Sequence, residues 1–212
     1  MSVDREILAA CRAMVGRGLV VGTAGNVSAR CRRGVRITPS RTDYRGMRRR
    51  QLLTVDHAGA VVRGSGTPSL ELPLHLAVYA ARPDVGAVVH SHSPHATAWS
   101  YLNAPLEPPT EDMTYLGIGP VRTSAPAPAG SARLAERAVR ALGASSACLL
   151  GRHGVLAVGP TVRAALTVAE AVEHQAQVGW LLRGHEREEH RCPPRHSSLQ
   201  TTSQRRPATA MW

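Results

Sequence analysis

No lysine and no phenylalanine occur anywhere in the 212 residues. Without an ε-amino group no side-chain Schiff base can form, which excludes lysine-imine aldolases and lysine-bound pyridoxal enzymes. The lysine-bearing phosphate loop of common nucleotidases is excluded as well. Any carbonyl chemistry here must use a metal ion or another electrophile. Aromatics make up only 3% of the chain, so the core has to be assembled from Leu, Val, Ala and Ile. The cysteines, Cys11, Cys31, Cys148 and Cys192, show no Cys-x-x-Cys spacing, which speaks against a disulfide framework or a cysteine zinc site. No apolar run approaches the roughly 20 residues that cross a bilayer. Residues 2–17 read as a polar–apolar helix and not as a signal peptide. The expectation is a cytoplasmic protein with no membrane partner.

What is abundant is arginine. All 26 of the Lys+Arg positions are arginine, and the net charge is +11. Such a charge favours anions: phosphorylated metabolites, nucleic acid or acidic surfaces. The arginines are scattered apart from Arg48-Arg49-Arg50 and the C-terminal stretch, and no aromatic platform accompanies them. No specific nucleic-acid partner is therefore expected, only weak, salt-sensitive association.

The length suits one domain. Ile7, Leu8, Cys11, Met14 and Val15 share one helical face that stops at Gly16 and Gly18. A glycine-rich turn, Gly22-Thr23-Ala24-Gly25-Asn26, leads into an alternating strand over 26–30, and a second strand runs over 35–38. Segments 52–55 and 60–63 flank a hairpin connection. Ser69 is placed to cap a helix over 70–81, with Pro73 tolerable near its first turn. A buried strand follows over 86–90, then an amphipathic helix over 131–142 with Leu134, Ala138 and Leu142 inward. Two short strands, 147–150 and 155–158, precede a final helix over 161–182 with Val162, Leu166, Ala169 and Val172 inward. Helices and strands mix without steady alternation, which predicts an α/β, three-layer sandwich with a central, mainly antiparallel sheet. The catalytic domain is expected over 1–183. Residues 184–212, rich in Arg, His and Ser with little to bury, read as a mobile tail.

His90 and His92 stand two apart at the end of an apolar strand, so both rings point to one face and can share a metal ion. His153, in a second strand-to-glycine turn, can supply a third nitrogen. Three protein ligands with an open position is the pattern of a catalytic metal. Glu71 suits the start of its helix for dipole reasons alone, but facing a metal it could also act as general base or as a fourth, displaceable ligand. His75, one turn further on, is expected behind or beside it, and His95 is expected to point elsewhere. The Gly22–Asn26 amides with the hydroxyls of Ser40 and Ser69 can cradle a phosphate without lysine.

Five ordered motifs carry a resemblance: Gly22-Thr23-Ala24-Gly25-Asn26-Val27-Ser28, Ile37-Thr38-Pro39-Ser40, Pro68-Ser69-Leu70-Glu71, the stretch from Arg82-Pro83-Asp84 through Val88-Val89-His90-Ser91-His92, and Leu149-Leu150-Gly151-Arg152-His153-Gly154. Together they resemble the class II aldolase/adducin family, in its fuculose-phosphate aldolase branch. The resemblance implies one divalent metal per subunit on His90, His92 and His153, zinc in many members, with Mn²⁺, Fe²⁺ or Co²⁺ also suited to such ligands. It implies that Glu71 completes the metal shell and serves as acid/base, and that Asn26, Ser40 and Ser69 hold the substrate phosphate. It further implies a homotetramer with sites between subunits, and a tyrosine lent by a neighbour, for which Tyr115 lies in the right region. The implied reaction is metal-dependent cleavage of a ketose 1-phosphate such as fuculose, rhamnulose or 5-deoxyribulose 1-phosphate. The products would be dihydroxyacetone phosphate and an aldehyde. A decarboxylase or epimerase of the same fold is the alternative. Arg41 stands where the branch usually has a glycine and Leu70 where it usually has a second serine; Arg41 could add a phosphate contact.

Overall fold

A computed structural model describes residues 2–191 other than 103, 108 and 109. Its centre is a seven-stranded sheet in the order β4-β3-β2-β1-β5-β7-β6, and every pairing between neighbours is antiparallel. The strands are β1 Asn26–Cys31, β2 Gly34–Ile37, β3 Leu53–Val55, β4 Val61–Arg63, β5 Ala87–Ser91, β6 Ala147–Leu150 and β7 Gly154–Gly159. The helices are α1 Val3–Gly16, α2 Leu72–Ala81, α3 Pro94–Trp99, α4 Glu111–Tyr115, α5 Ala132–Leu142 and α6 Val162–Arg191.

Alternation along the strands builds the three layers. Ala87, Val89, Leu149, Val155 and Ala157 pack with Ile7, Met14, Ala169 and Val172, so α1, α3 and α6 cover one face. Their neighbours Val88, Cys148, Leu150, Leu156 and Val158 pack with Leu74, Val78, Leu134 and Ala138, so α2 and α5 cover the other. A residue and its successor on a strand point to opposite faces, and here both faces are buried. Leu, Val, Ala and Ile do fill most of this core, as the lack of phenylalanine demanded.

Two helices depart from the expected bounds. α2 begins at Leu72 and not at 70, with Glu71 at its N-cap. Pro73 then takes the second helical position, where its missing N–H has no intrahelical partner to lose. α6 runs through Gly184 to Arg191, beyond the expected end at 182. Its apolar periodicity stops there, but Arg and Glu are good helix formers and carry the backbone on. The remainder of the expected tail, residues 192–212, lies outside the described residues.

One buried ion pair ties the N-terminal helix to the sheet. Asp4 on α1 accepts from Arg36 on β2 at 2.7 Å and also from Arg49. Burial alone would raise the Asp4 carboxyl, but the two guanidinium groups outweigh it and hold it below its ordinary range. Removing one partner of a buried pair strands the other, so Asp4→Asn is expected to cost about 3 kcal/mol in urea unfolding. A folded-state value below the unfolded one means the contribution is complete above the unfolded value of about 4. It fades as pH falls through the lower folded value. The stability gap between wild type and Asp4→Asn should therefore be full at neutral pH and close in acid.

Candidate active site

Four elements converge at the end of the central strands. β5 carries His90, with His92 just beyond it. The tight turn between β6 and β7 carries His153, held by its N–H to the Leu150 carbonyl at 2.9 Å. The N-cap of α2 carries Glu71. Segments 38–40 and 67–69 pair through Ser40 N–H to Thr67 O and Ser69 N–H to Thr38 O, which sets Ser40 beside Ser69. The Ser69 hydroxyl accepts from the Glu71 N–H at 3.2 Å and so fixes the helix start.

Two glycines permit the close approach. A Cβ at Gly154 would lie 2.3 Å from the Ser91 carbonyl and 3.2–3.3 Å from the rings of His92 and His90. A Cβ at Gly25 would lie 2.7 Å from the His90 carbonyl. Tyr44 pins that loop from behind by donating to the Gly25 carbonyl at 2.6 Å.

The donor atoms of Glu71, His90, His92 and His153 all lie within 4.8 Å of one another. His90 Nε2 is 2.8 Å from His92 Nε2 and 2.9 Å from Glu71 Oε2, and His153 Nε2 is 3.4 Å from Glu71 Oε1. The fully buried His90 donates its Nδ1–H to the Val155 carbonyl at 2.8 Å, which leaves the Nε2 lone pair aimed at the cluster in the neutral ring. Two imidazole nitrogens and a carboxylate oxygen converging like this repel one another unless a positive charge sits among them. Tetrahedral zinc would space its ligand atoms about 3.3 Å apart, and the separations here of 2.8, 2.9 and 3.4 Å fall on either side of that spacing. Glu71 Oε1 is buried with no hydrogen-bond partner among the described residues. The residues fit a divalent cation.

Electrostatics agree. Burial would raise the Glu71 carboxyl, but His90, His153 and the Asn26 amide outweigh it and hold it well below the usual carboxylate range. Burial would lower His90; the Glu71 charge and hydrogen bond reverse that and raise it. Burial, then the charges of His90 and His153, push His92 down to about 4, and burial with His90 also lowers His153. The cluster thus favours a carboxylate and neutral outer imidazoles, with positive charge drawn to His90 beside Glu71, the place a bound cation would take over.

A cavity of about 210 Å³ opens in front of this cluster. Its wall includes Glu71, His92 and His153 together with Asn26, Ser40, Arg41 and Ser69. Asn26, Ser40, Arg41 and Ser69 are therefore brought to one space with Glu71, His92 and His153, while Gly22 of the expected loop does not line it. Asn26 faces it only in part, because its amide nitrogen donates to Glu71 Oε2 at 3.0 Å and its oxygen meets His75 Nε2 at 2.5 Å. Arg41 adopts φ 51°, in the left-handed region, which accounts physically for a glycine being the easier residue there. Tyr115 lies elsewhere. It ends α4, is 90% exposed, and lines a separate cavity between α4 and α6 with no metal-cluster residue in its wall. His95 also points away, to Glu173 at 2.7 Å. Thr23, Ala24, Gly25, Pro39, Leu70 and the distant Ala129 complete the cavity wall; Ala129 carries no signal in the sequence that could have placed it there.

A metal cluster and an anion-suited wall on an antiparallel α/β sandwich define the enzyme class, and the comparisons with known proteins agree. Residues 5–180 match the family described as Class II Aldolase and Adducin N-terminal domain. The chain is 37% identical over 180 residues to the 5-methylthioribulose-1-phosphate/5-deoxyribulose-1-phosphate aldolase of Rhodospirillum rubrum, covering 85% of this chain and 81% of that protein. It is 36% identical over 174 residues to an L-fuculose phosphate aldolase of Escherichia coli, covering 82% and 80%. A solved L-fuculose 1-phosphate aldolase superposes with a TM-score of 0.82 at 32% identity, over 86% of this chain and 87% of that one. The chain belongs to the class II aldolase/adducin family. It is a metal-dependent carbon–carbon lyase of that family.

Proposed function

We infer that the protein cleaves a ketose 1-phosphate to dihydroxyacetone phosphate and an aldehyde by retro-aldol chemistry. The observation that carries this reading is the shared cavity: the Glu/His cluster and the Ser40, Arg41 and Ser69 wall face the same space. Sugar 1-phosphates named for the similar aldolases, of fuculose and of 5-deoxy- or 5-methylthioribulose, are the substrate class to test first. His90, His92, His153 and Glu71 would hold one divalent ion, zinc in our proposal. When bound, that ion supplies a Lewis acid for the substrate's carbonyl and hydroxyl oxygens.

The chain's own groups do the rest. The loop amides at Gly22–Asn26, the hydroxyls of Ser40 and Ser69, and the Arg41 guanidinium hold the phosphate dianion and so fix the carbon chain against Glu71. Asn26, whose amide is already shared with Glu71, borders that phosphate space. As the carbon–carbon bond breaks, its electron pair stays on the carbon next to the carbonyl, and the Glu71 carboxylate, once it has taken up the proton that the substrate hydroxyl releases, delivers it there. The hydroxyl that becomes the aldehyde must lose a proton. We propose that the Tyr115 phenol of a neighbouring subunit relays it, taking up that proton as it releases its own toward the Glu71 carboxylate, because the exposed phenol cannot serve its own cavity. Exposed Tyr115, Leu116, Leu181 and Leu182 support an oligomer, proposed as a homotetramer. No helix among the described residues is long and apolar enough to cross a membrane. Free Cys11, Cys31 and Cys148 and a phosphorylated substrate support a cytoplasmic setting.

A coupled assay for dihydroxyacetone phosphate, run over a panel of ketose 1-phosphates, tests the reading. Release from at least one sugar supports it. Release of carbon dioxide or of an epimeric sugar phosphate without dihydroxyacetone phosphate would replace it with the decarboxylase or epimerase alternative. In the same assay Arg41→Ala should raise KM about tenfold with kcat nearly unchanged, as expected for a partly exposed charged contact to a group that does not react.

A further inference from the structure

Behind the Glu71 carboxylate lies a row of buried polar side chains that the steps above leave without a task. Asn26 and Ser28 stand on one face of β1, and His75 and Tyr79 stand one turn apart on α2, facing them. Asn26 Nδ2 donates to Glu71 Oε2 at 3.0 Å, and Asn26 Oδ1 meets His75 Nε2 at 2.5 Å. His75 Nδ1 meets Ser28 Oγ at 2.6 Å, and Ser28 Oγ meets the Tyr79 hydroxyl at 2.8 Å. All four side chains are buried, His75 and Ser28 completely. The Arg30 guanidinium lies 4.8 Å above the Tyr79 ring and closes the outer end.

The direction of every hydrogen bond follows from the carboxylate. An ionised Glu71 only accepts, so the Asn26 amide must present nitrogen to it and oxygen to His75. That oxygen also only accepts, so His75 Nε2 must carry the proton. Full burial keeps the ring neutral, so Nδ1 is bare and accepts from Ser28. Ser28, having donated its single proton, accepts from Tyr79. Four donors therefore point one way, from Tyr79 through Ser28, His75 and Asn26 to Glu71 Oε2. The other carboxylate oxygen, Oε1, is left with no hydrogen-bond partner among the described residues.

We propose that Tyr79, Ser28, His75 and Asn26 form a one-way hydrogen-bond relay that clamps Glu71 by Oε2 and leaves Oε1 as the oxygen that meets the substrate. His75 is the relay's central positioning residue. The clamp holds the carboxylate in one orientation, and a reacting group held loosely by even a fraction of an ångström loses rate and not substrate affinity. The inference rests on Glu71 being the acid/base group, and its test separates the two.

Nitrogen-15 NMR of the imidazoles in the intact, zinc-loaded protein reads the arrangement directly, with the His75→Gln variant used to assign the signal. A neutral His75 with its proton on Nε2 is expected; a proton on Nδ1, or on both nitrogens, would overturn the relay. Kinetics give the second readout. His75→Leu, which keeps the bulk and loses both hydrogen bonds, should lower kcat about 10- to 100-fold, with KM and metal content unchanged. His75→Gln, whose amide can still donate to Asn26, should recover most of that loss. Wild-type kcat in His75→Leu, or an equal fall in both variants, would overturn the proposal. Should His75→Leu fail to fold, His75→Gln near wild type, Tyr79→Phe lowering kcat a few fold and the tautomer decide in its place. Glu71→Gln is run alongside. If it keeps wild-type kcat the acid/base reading fails, while the NMR result still judges the relay.

Discussion

Replacing Glu71 with glutamine is expected to lower kcat for carbon–carbon cleavage by about 10²- to 10⁴-fold, the usual contribution of a positioned acid/base group. Glutamine keeps the shape and can still accept from Asn26, so the fold and the cavity should survive. His90, His92 and His153 remain, and three imidazoles are enough to retain a divalent ion. The expected pattern is therefore one metal per chain, a KM within a few fold of wild type and very little turnover. Steady-state kinetics paired with metal analysis of the same sample check this. Loss of the metal along with the activity would make Glu71 chiefly a ligand and leave the proton step to another group.

His92→Ala is expected to remove metal and activity together. His92 is half-buried in the cavity wall, so its loss opens space and does not excavate the core. Metal content should fall well below one per chain and activity to background, with the urea midpoint of the apo protein close to that of apo wild type. His90→Ala should differ. That ring is 0% exposed and bonded to the Val155 carbonyl, so truncation should also cost about 1–3 kcal/mol of stability. Comparing the two variants separates ligand loss from core damage.

The parts of the site that were legible in the sequence are those written in local periodicity. Two histidines spaced by two at a strand end must share a face, and their Nε2 atoms do meet, at 2.8 Å. The strand segments and the 131–142 helix follow from alternation, a Ser cap and an apolar stripe, and the structure has all of them. The residue types at Gly22–Asn26, Ser40 and Ser69 suggest a phosphate cradle, but that they and Arg41 meet in one place rests on the family resemblance, since nothing local says that three loops will meet. α3 was not anticipated, although Ser93-Pro94 is a helix-start signal, a polar N-cap followed by proline at the first helical position. The relay was out of reach for another reason. It depends on β1 pairing with β5, Asn26 against His90, and on α2 lying across that pair. Such contacts join residues about 50 positions apart, and no short-range pattern encodes them. His75 was placed behind Glu71 by helical spacing alone; what it touches was not readable. Tyr115 lies apart from the cluster's cavity, and the subunit contact proposed for it is one for which a single chain's sequence carries no register.

The Glu71–His90–His92–His153 cluster is expected to hold one divalent metal ion, and aldol cleavage is expected to require it. The most direct test strips the purified protein with a chelator, returns metal in measured steps, and follows dihydroxyacetone phosphate release against bound metal per chain. The stripped protein should release none, and activity should climb in proportion to metal, reaching its plateau at one ion per chain. Full activity in the stripped protein, or a plateau reached with no metal bound at this cluster, would contradict that expectation.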